Sequence, residues 1–465
     1  MNYQVSQHID NNKVFIVQRS EIEGRLDPKM ALYNRKVQNS LYPKVKLKDV
    51  LVCKPQYGAS ESGVPRSSIK EPRYIRITDI DENGLISHDE LGATAKIIEN
   101  KYILCENDIL IARSGATVGK AYIHKPALYD CFFAGYLIRF IINTDKALPE
   151  YIFTYTQLNA YKEWVNAIQR PSGQPNINSE EYQSLEIPLP NIERQQVIVD
   201  VIKSAYLQKK QKESEAKQLL DNVDAYILNE LGITLPEIKT DLKNRIFKVN
   251  RSELEERLDP TVYKDGIKLI SNNYDNVKLS SVAYVNPTGT FKGKDIETPI
   301  SFIPMESIDE VYSEVSKLED TTIENASGFT KFKEGDLLWA KITPCMQNGK
   351  SAIAKNLTNG LGCGSTEFFV MRNKDERLAI EYLHVILHMK CVRETAMLYF
   401  GGSAGQQRVS SAFLENFNLP LPPKDKQIEI ANHVYTIRQK AKALQEEGKV
   451  LLEEAKRKVE SMIIG

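Results

Sequence analysis

The chain has no excess of either charge. Lys plus Arg number 61, and so do Asp plus Glu. That balance excludes a protein that coats nucleic acid through bulk positive charge, so any anion-binding surface has to be assembled locally from particular loops. Residues 1–190 are near neutral and 246–420 slightly acidic. The chain also lacks a run of about 18 apolar residues, so no membrane-spanning helix is expected. The opening MNYQVSQHID lacks the basic-then-apolar order of a signal peptide. Cysteine is scarce and scattered: positions 53, 105, 131, 345, 363 and 391 form no CxxC and no zinc-type spacing. This usage points to reduced thiols in a cytoplasmic protein.

Catalytic motifs are equally scarce. RSGATVGKA (113–121) approaches a phosphate loop. However, only three residues separate Gly115 from Gly119, and Ala121 stands where a Mg²⁺-binding Ser or Thr would be needed. ATP binding there is rejected. His384 and His388 sit four apart on a helix, but HVILH lacks the glutamate of HExxH and a third ligand, so they read as structural. LGCGST (361–366) has too few glycines for a cofactor loop. No [DNS]PP[YFW] tetrapeptide, nucleophile elbow or nuclease-type carboxylate–lysine cluster occurs, and no cofactor is expected in this chain.

What the sequence does have is a duplication. RSEIEGRLDP (19–28) returns as RSELEERLDP (251–260), and ENDILIAR (106–113) as EGDLLWAK (334–341). SGQPNIN (172–178) aligns with AGQQRVS (404–410), and IPLPNIERQQ (187–196) with LPLPPKDKQI (419–428). The offsets are 228 to 232 residues, which fits two copies of one domain and not a short-period solenoid. In the first pair, Ser20 with Glu23 and Ser252 with Glu255 predict capping boxes, and Pro28 and Pro260 predict helix stops. KVFIVQ and RIFKVN predict short strands before them.

Each copy reads as α+β. Strand runs (PRYIRITDI, CFFAGYLIRFII, STEFFVMR) precede one helix, predicted at 149–169 and at 378–397. Residues 191–231 and 424–463 then carry apolar positions at helical spacing. About 40 residues of helix span roughly 60 Å and need a partner in water, so the two should pair as an antiparallel coiled coil. The predicted fold is therefore two similar mixed α/β domains joined by two long antiparallel helices with pseudo-two-fold geometry. Its parts are domain 1 (1–190), a central helical spacer (191–245), domain 2 (246–423) and a C-terminal helical spacer (424–465).

Loops supply the candidate contacts. The first hairpin offers Arg113, Ser114, Thr117 and Lys120, and its counterpart KITPCMQNGK offers Lys341, Thr343, Gln347, Asn348 and Lys350. A basic, turn-rich stretch carries Tyr57, Ser60, Arg66 and Lys70, and its counterpart carries Thr288, Thr290, Lys292 and Lys294. Arg170 and Gln174 follow the helix of the first copy, and Gln407 and Arg408 that of the second. Such residues suit phosphates and base edges, Arg and Lys matching guanine and Asn and Gln matching adenine. Each stretch also reads as an ordinary surface turn, and both readings stay open.

The ordered, doubled landmarks resemble the specificity (S) subunits of type I restriction-modification systems, over essentially the whole chain. The resemblance implies two target recognition domains, each reading half of a bipartite site in double-stranded DNA, with the helices as ruler. It implies two modification (M) subunits that use S-adenosylmethionine to methylate adenine N6. It also implies an optional restriction (R) subunit using ATP and Mg²⁺, either separate or fused to the methyltransferase. Gln195, Gln196 and Gln427 begin the helices expected to meet M. The competing reading from another class is a tandem-domain protein scaffold that never touches DNA.

Overall fold

The duplication returns as a duplicated strand order. The computed structural model describes residues 28–36, 40–86, 91–169, 175–236, 248–249, 259–402 and 406–464. In the first copy one sheet runs Gln56–Tyr57, Leu137–Phe140, Ile109–Ala112, Ala121–Ile123, every neighbour antiparallel. In the second copy Ala283–Val285, Phe368–Asn373, Leu337–Ala340 and Ser351–Ile353 repeat that order. Each copy has a second four-stranded sheet built on a parallel pair, Arg73–Ile75 with Cys131–Phe133 and Pro299–Ile303 with Leu361–Gly364. The copies differ at the edges of this sheet. Gly63–Pro65 extends the first beyond Ala93–Ala95, whereas Thr330–Lys333 extends the second beyond Leu361–Gly364.

The ILIA and LLWA runs are buried at every position because each strand is covered on both faces. Side chains alternate between two cores. Ile109 and Ile111 join Tyr161 and Trp164, while Leu110 and Ala112 join Ile75 and Phe133. Leu337 and Trp339 likewise face one core and Leu338 the other.

The doubled IPLP and LPLP segments close each domain. Glu186–Pro188 pairs with Lys44–Lys46, and Asn418–Pro420 with Asn276–Lys278. Tyr151 Oη donates to the Pro188 carbonyl and Tyr382 Oη to the Pro420 carbonyl.

Three expectations need correction or lie out of reach. Pro260, expected to stop a helix whose residues lie outside the described ones, begins one. It opens Pro260–Asp265, with Asp259 accepting from the Thr261 N–H, and Pro28 opens Pro28–Lys36. Proline suits the first helical position, where its missing N–H is not needed. The helix predicted at 149–169 is two helices, Pro149–Tyr155 and Asn159–Ile168, and that at 378–397 is Ile380–His388 and Lys390–Met397. In both copies a distant carboxylate caps the second helix. Glu460 accepts from the Ala160 N–H at 2.7 Å, and Asp224 from the Lys390 N–H at 2.8 Å. The capping boxes at Ser20 and Ser252, KVFIVQ and most of RIFKVN lie outside the described residues.

The chain forms two compact units, residues 1–211 with 447–465, and residues 212–446. Two long helical stretches supply both: Ile192–Asp221 followed by Val223–Glu230, and Lys424–Ile463. Within each unit they run antiparallel. In the first, Gly448 lies against Lys209, and a Cβ there would come within 3.3 Å of the Lys209 side chain. In the second, the rings of Tyr226 and His433 are 4.1 Å apart and Lys426 pairs with Glu230 at 2.6 Å. Along the C-terminal helix Ile430, Val434, Ala441, Leu452, Ala455 and Val459 are buried, in steps of three, four, seven and eleven that keep one helix face inward. No helix of the described residues is long and apolar enough to cross a membrane.

Candidate nucleic-acid interface

The candidate loops start from a buried ion pair. In ENDILIAR the turn residue Asn107 is left-handed (φ 69°), and in EGDLLWAK it is Gly335 (φ 82°), which is why this position holds Asn or Gly. The next residue is the repeated aspartate. Asp108 accepts from the Cys105 N–H at 2.9 Å and from Arg139 Nη1 at 3.3 Å. Asp336 accepts from the Lys333 N–H at 2.8 Å and from Arg372 Nε and Nη2 at 2.7 and 2.6 Å. Burial raises the pKa of Asp108, with the Cys105 amide and Arg139 opposing. Each pair locks the turn that begins Ile109–Ala112 or Leu337–Ala340 onto the neighbouring strand, and Arg113 and Lys341 follow the far ends of those two strands. Sequence reasoning passed over these arginines, although both sit on the strand type already recognised as doubled.

At the strand ends the structure brings two separately chosen segments together, twice. The Ile177 N–H donates to the Arg113 carbonyl at 2.8 Å and the Gly115 N–H to Pro175 at 3.0 Å. In the second copy Val409 N–H donates to Lys341 at 2.9 Å and Thr343 N–H to Gln407 at 3.0 Å. The side chains at these junctions differ. The Arg113 guanidinium lies 5.0 Å from the exposed Tyr57 ring, and Tyr57 Oη accepts from the Ser179 N–H at 3.1 Å. Lys341 Nζ lies 5.6 Å from the Phe369 ring. Arg408 forms a fork with Glu367 at 2.7 to 3.1 Å, which holds Arg408 above its ordinary pKa. Ser114 and Thr117 belong to the first junction's loop, and Thr117 is exposed. Glu367 is a junction residue that sequence reasoning did not single out.

Other candidates point inward. Lys120 Nζ donates to the Ile80 carbonyl and Lys350 Nζ to Met305 at 3.2 Å, so both lysines pin the back of a hairpin to the body of its domain. Gly119 and Gly349, which precede them, are left-handed at φ 88° and 90°. A Cβ on Gly119 would meet Val165 at 2.8 Å. Arg66 is 3% exposed, and its guanidinium binds the carbonyls of Leu91, Ile69 and Glu71 and lies over the Tyr129 ring. It organises its loop from within, where turn-rich composition suggested a solvent-facing arginine. Asn348 donates to Glu310 at 3.1 Å, and Gln347 reaches Met397 Sδ at 3.8 Å. Ser60, Lys70, Thr288, Lys292 and Lys294 are exposed, and Thr290 lies 3.4 Å from Arg372 Nη2. Arg170 and Gln174 lie outside the described residues.

Gln195 and Gln427 are also internal. Gln195 accepts from the Leu148 N–H and donates to the Pro190 carbonyl. Gln427 accepts from the Ala379 N–H and donates to Pro422 and Arg377, all at 2.8 Å. Both side chains are fully buried, whereas Gln196 is exposed. His384 bonds Ser351 at 3.1 Å and His388 meets the Glu310 carbonyl at 3.2 Å. No cluster of three or more His, Cys, Asp or Glu side chains able to hold a metal occurs among the described residues.

The sequence profile of the type I restriction modification DNA specificity domain matches twice, at residues 44–220 and 271–453, which together make up most of the chain. The chain belongs to the type I restriction-modification specificity family. It is 34% identical over 168 residues to the EcoEI specificity subunit of Escherichia coli, covering 35% of this chain and 27% of that protein. It is also 34% identical over 183 residues to the EcoAI specificity subunit of Escherichia coli, covering 38% and 29%. The chain thus matches less than a third of the length of these curated specificity subunits. A solved chain from work on complex assembly and conformational transition of the type I R-M system overlays with a TM-score of 0.50. That overlay covers 90% of this chain and 96% of the other at 16% identity, a likeness of fold.

Proposed function

We propose that this chain is the non-catalytic specificity subunit of a DNA methyltransferase complex in the cytoplasm. Each domain reads one half of a bipartite double-stranded DNA target. Two M subunits bring S-adenosylmethionine and methylate adenine N6, and an R subunit using ATP and Mg²⁺ is an optional further partner. The observation that supports this reading is the doubled junction. The same backbone scaffold presents Arg113 beside Tyr57 in one domain, and Lys341, Gln407 and Arg408 in the other. A repeated frame with different donors at its tip is what two readers of different half-sites require, because base edges are told apart by donor and acceptor pattern. Zero net charge leaves much of the phosphate neutralisation to the M subunits.

Sequencing of methylated bases in cells with and without this gene tests the reading. One bipartite adenine-methylated motif is expected to vanish with the gene. An unchanged methylation pattern, when the M partner is present and active, sinks it and favours the protein scaffold.

A further inference from the structure

Arg438 lies on the C-terminal helix and only 7% of it is exposed. Among the described residues its guanidinium has no hydrogen-bond or ion-pair partner. Buried arginines are ordinarily paired, because an unanswered charge out of water is costly. The carboxylates whose charge it feels most are committed elsewhere. Asp224 holds the Lys390 N–H, and Glu314 holds Gln439 Nε2 at 2.6 Å and Lys442 Nζ at 2.7 Å. Burial, aided by Arg393 nearby and opposed by Asp224 and Glu314, lowers the pKa of Arg438 to about 10.

This arginine lines a pocket of about 670 Å³ within the second unit. That size is typical of small-molecule sites, which combine apolar walls with a few polar groups. Val315, Val385 and Ile428 supply apolar wall. Tyr312 and Ser313 also line it, and Tyr312 Oη and Ser313 Oγ are buried with no hydrogen-bond partner. Exposed Lys355 and Glu381 stand among the lining residues. None of the candidate DNA contacts lines this pocket. We propose that it is a binding site for a small anion, a carboxylate or phosphate monoester on a partly apolar body, received by the guanidinium of Arg438. A planar fork of N–H donors matches such a group through two parallel bonds, and Tyr312 and Ser313 line the same pocket.

The test uses the full-length chain without DNA, titrated calorimetrically with benzoate and with inorganic phosphate against chloride at equal ionic strength. Saturable one-to-one binding of at least one probe is expected, weakened at least about tenfold by Arg438→Met, a few-fold by Tyr312→Phe, and unchanged by Lys440→Ala on the same helix. Preference for benzoate identifies the ligand class as a carboxylate, and preference for phosphate identifies a phosphate ester. Arg438→Met without anion should melt no lower than the parent, since it removes an unpaired buried charge. Should that variant misfold, Arg438→Lys is expected to fold and bind with intermediate affinity. Absence of binding by both probes, or binding that Arg438 substitutions leave untouched, overturns the proposal.

Discussion

Asp336 keeps 1% of its side chain exposed and meets Arg372 through two short bonds. Removing one partner of a buried pair leaves the other charge unanswered, which costs about 3–5 kcal/mol. Asp336→Ala is therefore expected to lower stability by about that amount in urea denaturation, and a loss under about 1 kcal/mol would show the pair to be effectively solvated. Buried histidines make a different demand. Burial lowers the pKa of His384 to about 3 and that of His388 well below its ordinary 6.5. Both stay neutral in the fold, while the unfolded chain protonates them below about pH 6.5. The unfolded state then binds more protons, so stability falls as pH drops from 6.5 toward 3, by about 1.4 kcal/mol per pH unit for each histidine. Denaturation midpoints between pH 7 and 5 check this. His384→Gln should flatten the slope by about one histidine's share.

At the scale of elements, Gln427 joins the C-terminal helix, the helix Ile380–His388 and the turn before it through one side chain. Gln427→Leu orphans two buried backbone groups, at about 1–3 kcal/mol each, and one half-buried carbonyl, so a loss of at least about 2 kcal/mol is expected. Gln196→Leu, one position after the equivalent glutamine of the first copy, is exposed and should stay within about 0.5 kcal/mol. Equal effects in thermal melting would refute the clamp. These clamps also explain how far the sequence could be read. The strands ILIA and LLWA, the doubled landmarks and the long helices were legible, because period and repetition are written locally. The breaks within 149–169 and 378–397 were not, because their caps arrive from residues 300 and 166 positions away. Arg66 misled for the same reason: its loop has the composition of an exposed turn, and only Leu91 and Tyr129, distant in sequence, show that it faces inward. At the candidate interface, the segments 113–117 and 175–177 were each legible as loops. That they zip together was not, because no local pattern records a backbone bond between them.

For the molecule as a whole, the chain's end does not belong to the domain that precedes it. Leu452, Ala455, Val459 and Ile463 pack in one core with Ile198, Ile202 and Trp164 of the first unit, while Ile430 and Val434 belong to the core of the second. Any exchange of the second domain must therefore leave both long helices in place, or it will unpick the first unit as well. A chimera replacing residues 259–423 with the matching stretch of another family member keeps 192–230 and 424–463 intact. It must retain a glutamine-compatible turn at 422 so that Gln427 finds its carbonyl. If each domain reads its own half-site, this chimera, expressed with its M partner, should methylate a motif whose one half is new, whose other half is unchanged and whose spacer length is unchanged. The helices that would set the spacing have not been altered. A change in both halves would mean that the two domains read the DNA jointly. An altered spacer with intact halves would move the ruler from the helices to the domains.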